Sequence, residues 1–69
     1  MGTTYIIMAH RWGNTEEHSY FVGWEDGYQM AVKMAEEEFG YKGRGKYSIV
    51  IYEAIKGSKE KTEVYRVGI

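Results

Sequence analysis

The sequence contains no cysteine. That excludes a disulfide framework, a cysteine-based zinc site and a thiol nucleophile. It also lacks any apolar run near the roughly 18 residues that a membrane-spanning helix needs. The first residues show neither a basic region nor a cleavage site, so no signal peptide is expected, and a soluble, cytoplasmic domain is the default expectation. An excess of one charge is missing as well. Nine Lys and Arg stand against ten Asp and Glu, for a net charge near −1, which argues against a nucleic-acid partner.

The chain is also short. Sixty-nine residues make one domain, residues 1–69. A domain of about 60 residues buries only about 60% of the surface its unfolded chain exposes. Chains of this size usually need a staple, a metal or an oligomer. Length therefore predicts a homo-oligomer, a dimer or higher.

What is abundant is aromatic and glycine: seven Tyr, two Trp and nine Gly. Residues 3–12 and 18–24 are rich in β-branched and aromatic types and read as a hairpin, joined by a turn at residues 13–17, where Gly13 and Asn14 tolerate positive φ. Asp26 is placed to cap a helix, with Gln29 completing a capping box. Tyr28, Ala31, Val32, Ala35 and Phe39 recur at helical spacing, widened by Met30 and Met34. Gly40 is the expected stop, in the left-handed conformation. Residues 46–55 form the strongest strand, and residues 62–69 form a last one after a charged turn. The expected fold is α+β: ββαββ, a four-stranded antiparallel sheet in order 2-1-3-4 with one helix on one face.

The strands do not alternate cleanly. Tyr5, Ile7 and Ala9 fall on one face, and Ile6 and Met8 on the other. Tyr47, Ile49, Ile51 and Ile55 oppose Val50, Tyr52 and Ala54. Both faces are apolar, and one helix covers only one, which gives the predicted oligomer a surface. The plainer alternative is a monomer whose tyrosines lie over the sheet.

Two clusters carry possible chemistry. Gly40 to Lys46 matches G-x-x-x-x-G-K, but Tyr47 replaces the magnesium-binding hydroxyl. The loop also follows a helix, where a phosphate loop precedes one. A milder reading is anion binding by Lys42, Arg44 and Lys46, flanked by Tyr41 and Tyr47; the alternative is a solvated connector at a helix C-terminus. The hairpin end gathers Arg11, Trp12, His18, Ser19 and Tyr20, with Arg11 expected opposite His18 and His10 opposite Ser19. Arg forks onto phosphate and stacks on rings, and Trp and Tyr offer flat faces. Such a group suits a nucleotide or a protein hot spot, or simply decorates a sheet edge.

Metal binding through His10, His18, Glu16 and Glu17 matches no closed-site spacing. Glu36, Glu37 and Glu38 read as a solvated helix face. Asp26 is taken by its cap, and Ser19 and His18 are strand neighbours that face apart. No enzymatic activity, metal or cofactor is expected.

His10-Arg11-Trp12-Gly13-Asn14, followed by Glu17-His18-Ser19-Tyr20, resembles a pattern in small proteins of bacteriophages and prophages. The loop Tyr41-Lys42-Gly43-Arg44-Gly45-Lys46-Tyr47 is similar to the family's loop, with one residue more. The resemblance covers most of the chain and brings no established activity. It implies a class: inhibitors of host defence, including anti-CRISPR proteins and sponges of immune nucleotide signals, at work in the cytoplasm of an infected bacterium. The leading expectation is a non-enzymatic protein that sequesters a nucleotide-like host signal. Arg11, Trp12, His18 and Tyr20 would stack and clamp; Lys42, Arg44 and Lys46 would neutralise phosphate. The alternatives are a protein-binding inhibitor of a host defence effector and a phage structural or regulatory protein.

Overall fold

The computed structural model describes residues 2–12, 19–43 and 46–68, without the side chain of Lys42. The expected turn at 13–17, His18 and Arg44 lie outside the described residues. Strand β1 spans Thr3–Arg11, β2 Tyr20–Glu25, β3 Tyr47–Ile55 and β4 Lys61–Val67. Helix α1 spans Tyr28–Glu38 and continues into a π-helical turn, Phe39–Gly43. The sheet order is β2-β1-β3-β4, with each neighbouring pair antiparallel. This is the ββαββ α+β fold read from the sequence.

The helix begins one residue later than the capping pattern places it. Its N-cap is Gly27, in extended conformation, with no side-chain cap hydrogen bond, so Asp26 and Gln29 form no capping box. Packing sets the start instead. From Gly27, whose carbonyl accepts the Ala31 amide at 3.0 Å, the turns bring Ala31 and Ala35 onto the sheet, where both are fully buried. Tyr28 meets Tyr5 edge-on, with ring centroids 5.6 Å apart.

Gly40 does not end the helix in a left-handed conformation. The positive-φ residues among those described are Gly2, Gly57 and Gly68. The Phe39 amide reaches the carbonyls of both Ala35 and Glu36. The wider turn carries the chain onward while Phe39 packs against the core. Met30 is half exposed and falls outside the buried stripe.

The core lies between α1 and one sheet face. Ile7, Ala9, Ala31, Ala35, Ile49 and Ile51 are fully buried there. Tyr5, Tyr20, Tyr47 and Tyr65 extend it at its margins. Two helix carboxylates hold those margins: Tyr20 donates to Glu38 and Tyr65 to Glu36. The acidic run is therefore partly a set of acceptors for tyrosine. Burial, then the Glu38 hydrogen bond, raises the Tyr20 phenol above its ordinary pKa.

Both edge strands carry a β-bulge. Ile7 pairs with Gly23 while Met8 pairs with Phe21, leaving Val22 extra. Ile51 pairs with Tyr65 while Tyr52 pairs with Glu63, leaving Val64 extra. Each extra valine packs against the core. Each bulge also shifts the alternation by one, so residues three apart share the opposite face.

The β3–β4 connection turns at Gly57. The Ser58 amide donates to the Ile55 carbonyl at 2.9 Å, and Gly57 has φ +88 with open space where a Cβ would sit. Gly57→Ala should lower unfolding stability by about 1 kcal/mol through backbone strain alone. Ala35→Leu should cost about 1–3 kcal/mol by overpacking the helix against the sheet. Urea midpoints that match the wild type would contradict both.

Candidate functional site

The sheet's period of two splits the hairpin cluster. Arg11 lies on the helix side, beside its β3 partner Tyr47, with the guanidinium carbon 6.0 Å from the ring centroid. Tyr47 stands edge-on to Tyr20, with centroids 5.5 Å apart. Tyr20 in turn donates to Glu38 on the helix. One end of the molecule thus carries a rim of Arg11, Tyr47 and Tyr20. Exposed Lys46 and Tyr41 flank it along the chain, and Tyr41 is 80% exposed. Of the two clusters, separate in sequence, Arg11 and Tyr20 of the hairpin and Tyr47 of the loop meet here.

Trp12 takes the other side. Its backbone amide extends the β1–β3 ladder to the Lys46 carbonyl at 2.8 Å. Its indole N–H donates to the buried Ser48 hydroxyl at 2.7 Å. Trp12 therefore belongs to the open face of the sheet, away from Arg11, and the two do not form one clamp.

That open face holds a network beyond the expected site. His10 Nδ1 shares a hydrogen bond with Ser19 Oγ at 2.9 Å, and Nε2 shares one with the Tyr52 hydroxyl at 3.0 Å. The expected opposition of His10 and Ser19 holds. The part of Tyr52, from a distant strand, follows only from the β1–β3 register. Lys61 Nζ sits 4.9 Å from the Tyr52 ring centroid. Glu63 and Arg66 form a two-pronged pair at 3.0 and 3.1 Å. That hydrogen bond holds the Glu63 carboxyl below its ordinary pKa and the Arg66 guanidinium above its own.

Two surface depressions lie away from the rim. The larger, about 450 Å³, is lined by Ile6, Ala54 and the β3–β4 turn from Ser58 to Lys61. The smaller, about 160 Å³, lies along the helix at Glu25, Met30, Lys33, Met34 and Glu37. Among the described residues there is no group of three or more His, Asp or Glu able to hold a metal. No described helix is long and apolar enough to cross a membrane. Comparison with protein-family models, curated proteins and solved structures finds no match to this chain.

His10 gives the site a measurable signature. Burial, then the nearby Arg66 charge, lowers its pKa below 6.5. Between that lowered value and 6.5 the unfolded chain binds more protons than the native one, so stability rises with pH there. His10's share is complete above about 6.5 and falls as pH drops through that window. The His10 imidazole signal should titrate below 6.5, Arg66→Gln should raise its midpoint, and His10→Gln should flatten the acid loss of stability. A midpoint at or above 6.5 would contradict this account.

Proposed function

We propose that this chain is a non-enzymatic binding protein that sequesters a phosphorylated, nucleotide-like ligand at the Arg11 rim. The observation that carries the reading is the meeting of Arg11 and Tyr20, from the hairpin, with Tyr47, from the far side of the basic loop. A guanidinium forks onto phosphate, and tyrosine rings offer faces and edges to a base. Lys42, Arg44 and Lys46 add positive charge in the sequence just before Tyr47. Among the described residues, the carboxylate at the rim, Glu38, is engaged by Tyr20.

The absence of catalysis is part of the reading. The Ser19–His10 pair has the spacing of a nucleophile and its base. Its third member is a tyrosine hydroxyl on the other ring nitrogen, not a carboxylate. The resemblance to small phage proteins supplies the setting: a counter-defence protein in the cytoplasm of an infected bacterium, acting on a host immune signal. The functional unit in this reading is a homo-oligomer.

A second reading rests on a different observation. Phe21 and Trp24 are 56% and 58% exposed on the open face, and exposed aromatics of this kind serve as hot spots for protein partners. There the chain would inhibit a host defence effector, or act as a structural or regulatory phage component.

Calorimetry separates the two. Titration with a panel of cyclic and ADP-ribose-type nucleotides should give heat with at least one. Arg11→Ala should weaken that binding about tenfold or more, since a lost charged hydrogen bond costs about 1.5–3 kcal/mol. Silence across the panel, with a stoichiometric host protein captured from lysate, would replace this reading with the second.

A further inference from the structure

We infer that the open sheet face is the surface on which a second copy of this chain packs, about a two-fold axis running across the strands. The inference rests on the oligomer in the proposed function and is independent of the ligand. It begins from the cross-strand register. One row across that face reads Phe21, Met8, Val50, Arg66, of which Val50 is already fully buried within the single chain. The next row reads Trp24, Ile6, Tyr52, Glu63. Each row runs from a large apolar group on β2 to a charge on β4.

The two rows are complementary to each other. A two-fold axis lying between them, in the plane of contact, keeps each strand over its own copy and exchanges the rows. Phe21 then meets the second copy's Trp24, and Met8 meets its Ile6. At the other edge Arg66 meets the second copy's Glu63, and Glu63 meets its Arg66. In these two rows apolar falls on apolar, and Glu63 and Arg66 each fall on the opposite charge, in both halves at once, as a closed two-fold interface requires; Lys61, further along β4 on the same face, lies outside the two rows. A two-fold axis along the strands would set Phe21 and Trp24 against the charged edge instead.

The face has room for this. Strands about 4.8 Å apart and up to about 30 Å long give an open face on the order of 600 Å² in projection. Side-chain relief brings that toward the roughly 800 Å² each partner contributes to a standard interface. Face-to-face sheets pack about 10 Å apart with strands within about 30° of each other, and this axis allows that arrangement. Glu63 and Arg66 are themselves about two-fifths exposed, so changing them leaves the fold's interior untouched.

Charge complementation tests the interface. Sedimentation of the wild type should give twice its 8.0 kDa mass. Glu63→Arg alone makes both row positions on β4 positive, and Arg66→Glu alone makes both negative. Each variant should remain folded by circular dichroism and dissociate at least tenfold more readily. An equimolar mixture of the two should dimerise again, which only a contact between copies can produce. Trp24→Ala should also dissociate the dimer. A wild type that stays at 8.0 kDa at millimolar concentration would overturn the inference. So would a dimer untouched by these changes, a mixture that stays monomeric, or a host protein held by Trp24 in place of the second copy. Ligand heat on the monomeric variants keeps the readings apart, because a silent rim with an intact dimer bears on the ligand alone.

Discussion

One helix must serve a four-stranded sheet, and most of the molecule's properties descend from that shortage. The eleven residues of α1 make a rod of about 16 Å, whereas the nine-residue central strands extend about 30 Å. The helix therefore covers the middle of one face and nothing else. Two alanines at its contact line, Ala31 and Ala35, let it sit close, but they bring little volume. The fully buried core is correspondingly small. Tyrosines finish it. Tyr5, Tyr20, Tyr47 and Tyr65 spread rings over the margins where aliphatic side chains end. Two of them tie their hydroxyls to helix carboxylates. Tyrosine suits this role because its ring is apolar and its tip is polar, so it can lie half in and half out of a thin core.

The edge-strand bulges do two jobs with one inserted residue each. Val22 and Val64 add aliphatic volume to the undersized core. The same insertions place Phe21 with Trp24, and Glu63 with Arg66, on the open face. In a regular strand, residues three apart point to opposite faces. The salt bridge on β4 and the aromatic pair on β2 thus exist because each edge strand carries one residue more than its neighbour. Bulges also twist an edge away from further strand pairing. That favours association through the face over association through the edge.

Much of this fold is legible in the residues. The runs of β-branched and aromatic side chains mark all four strands to within about two residues, and a single helical stripe between them leaves little choice of topology. The helix ends are less legible because local capping chemistry competes with packing. Asp26 and Gly40 carry the right chemistry for a cap and a stop, yet the demands of Ala31, Ala35 and Phe39 on the sheet decide otherwise. The bulges leave no mark in composition, so the pairing of Glu63 with Arg66 could not be read. The candidate site is half legible. Arg11, Tyr20 and Tyr47 are visible as types, and their meeting follows from the hairpin and the β1–β3 register. Trp12 is misleading because adjacency in sequence means opposition in a strand. Tyr52 is hidden, since only the register of a distant strand brings it to His10.

The alternation that divides Arg11 from Trp12 also divides the labour of the two faces. A second copy on the open face would cover Phe21 and Trp24 without touching the rim, which belongs to the helix side. The proposed two-fold axis would cross the strands near their middle, and the rim lies at one end. A dimer would therefore carry two rims at opposite ends of the assembly, each built within a single chain. Binding at one would have no short path to the other, because the shared contact is a row of packed side chains near the axis rather than a joint between sites. Such a dimer would take two ligands independently. Its second copy would supply stability to a chain whose core is small, not geometry to the proposed rim, whose Arg11, Tyr20 and Tyr47 come from one copy.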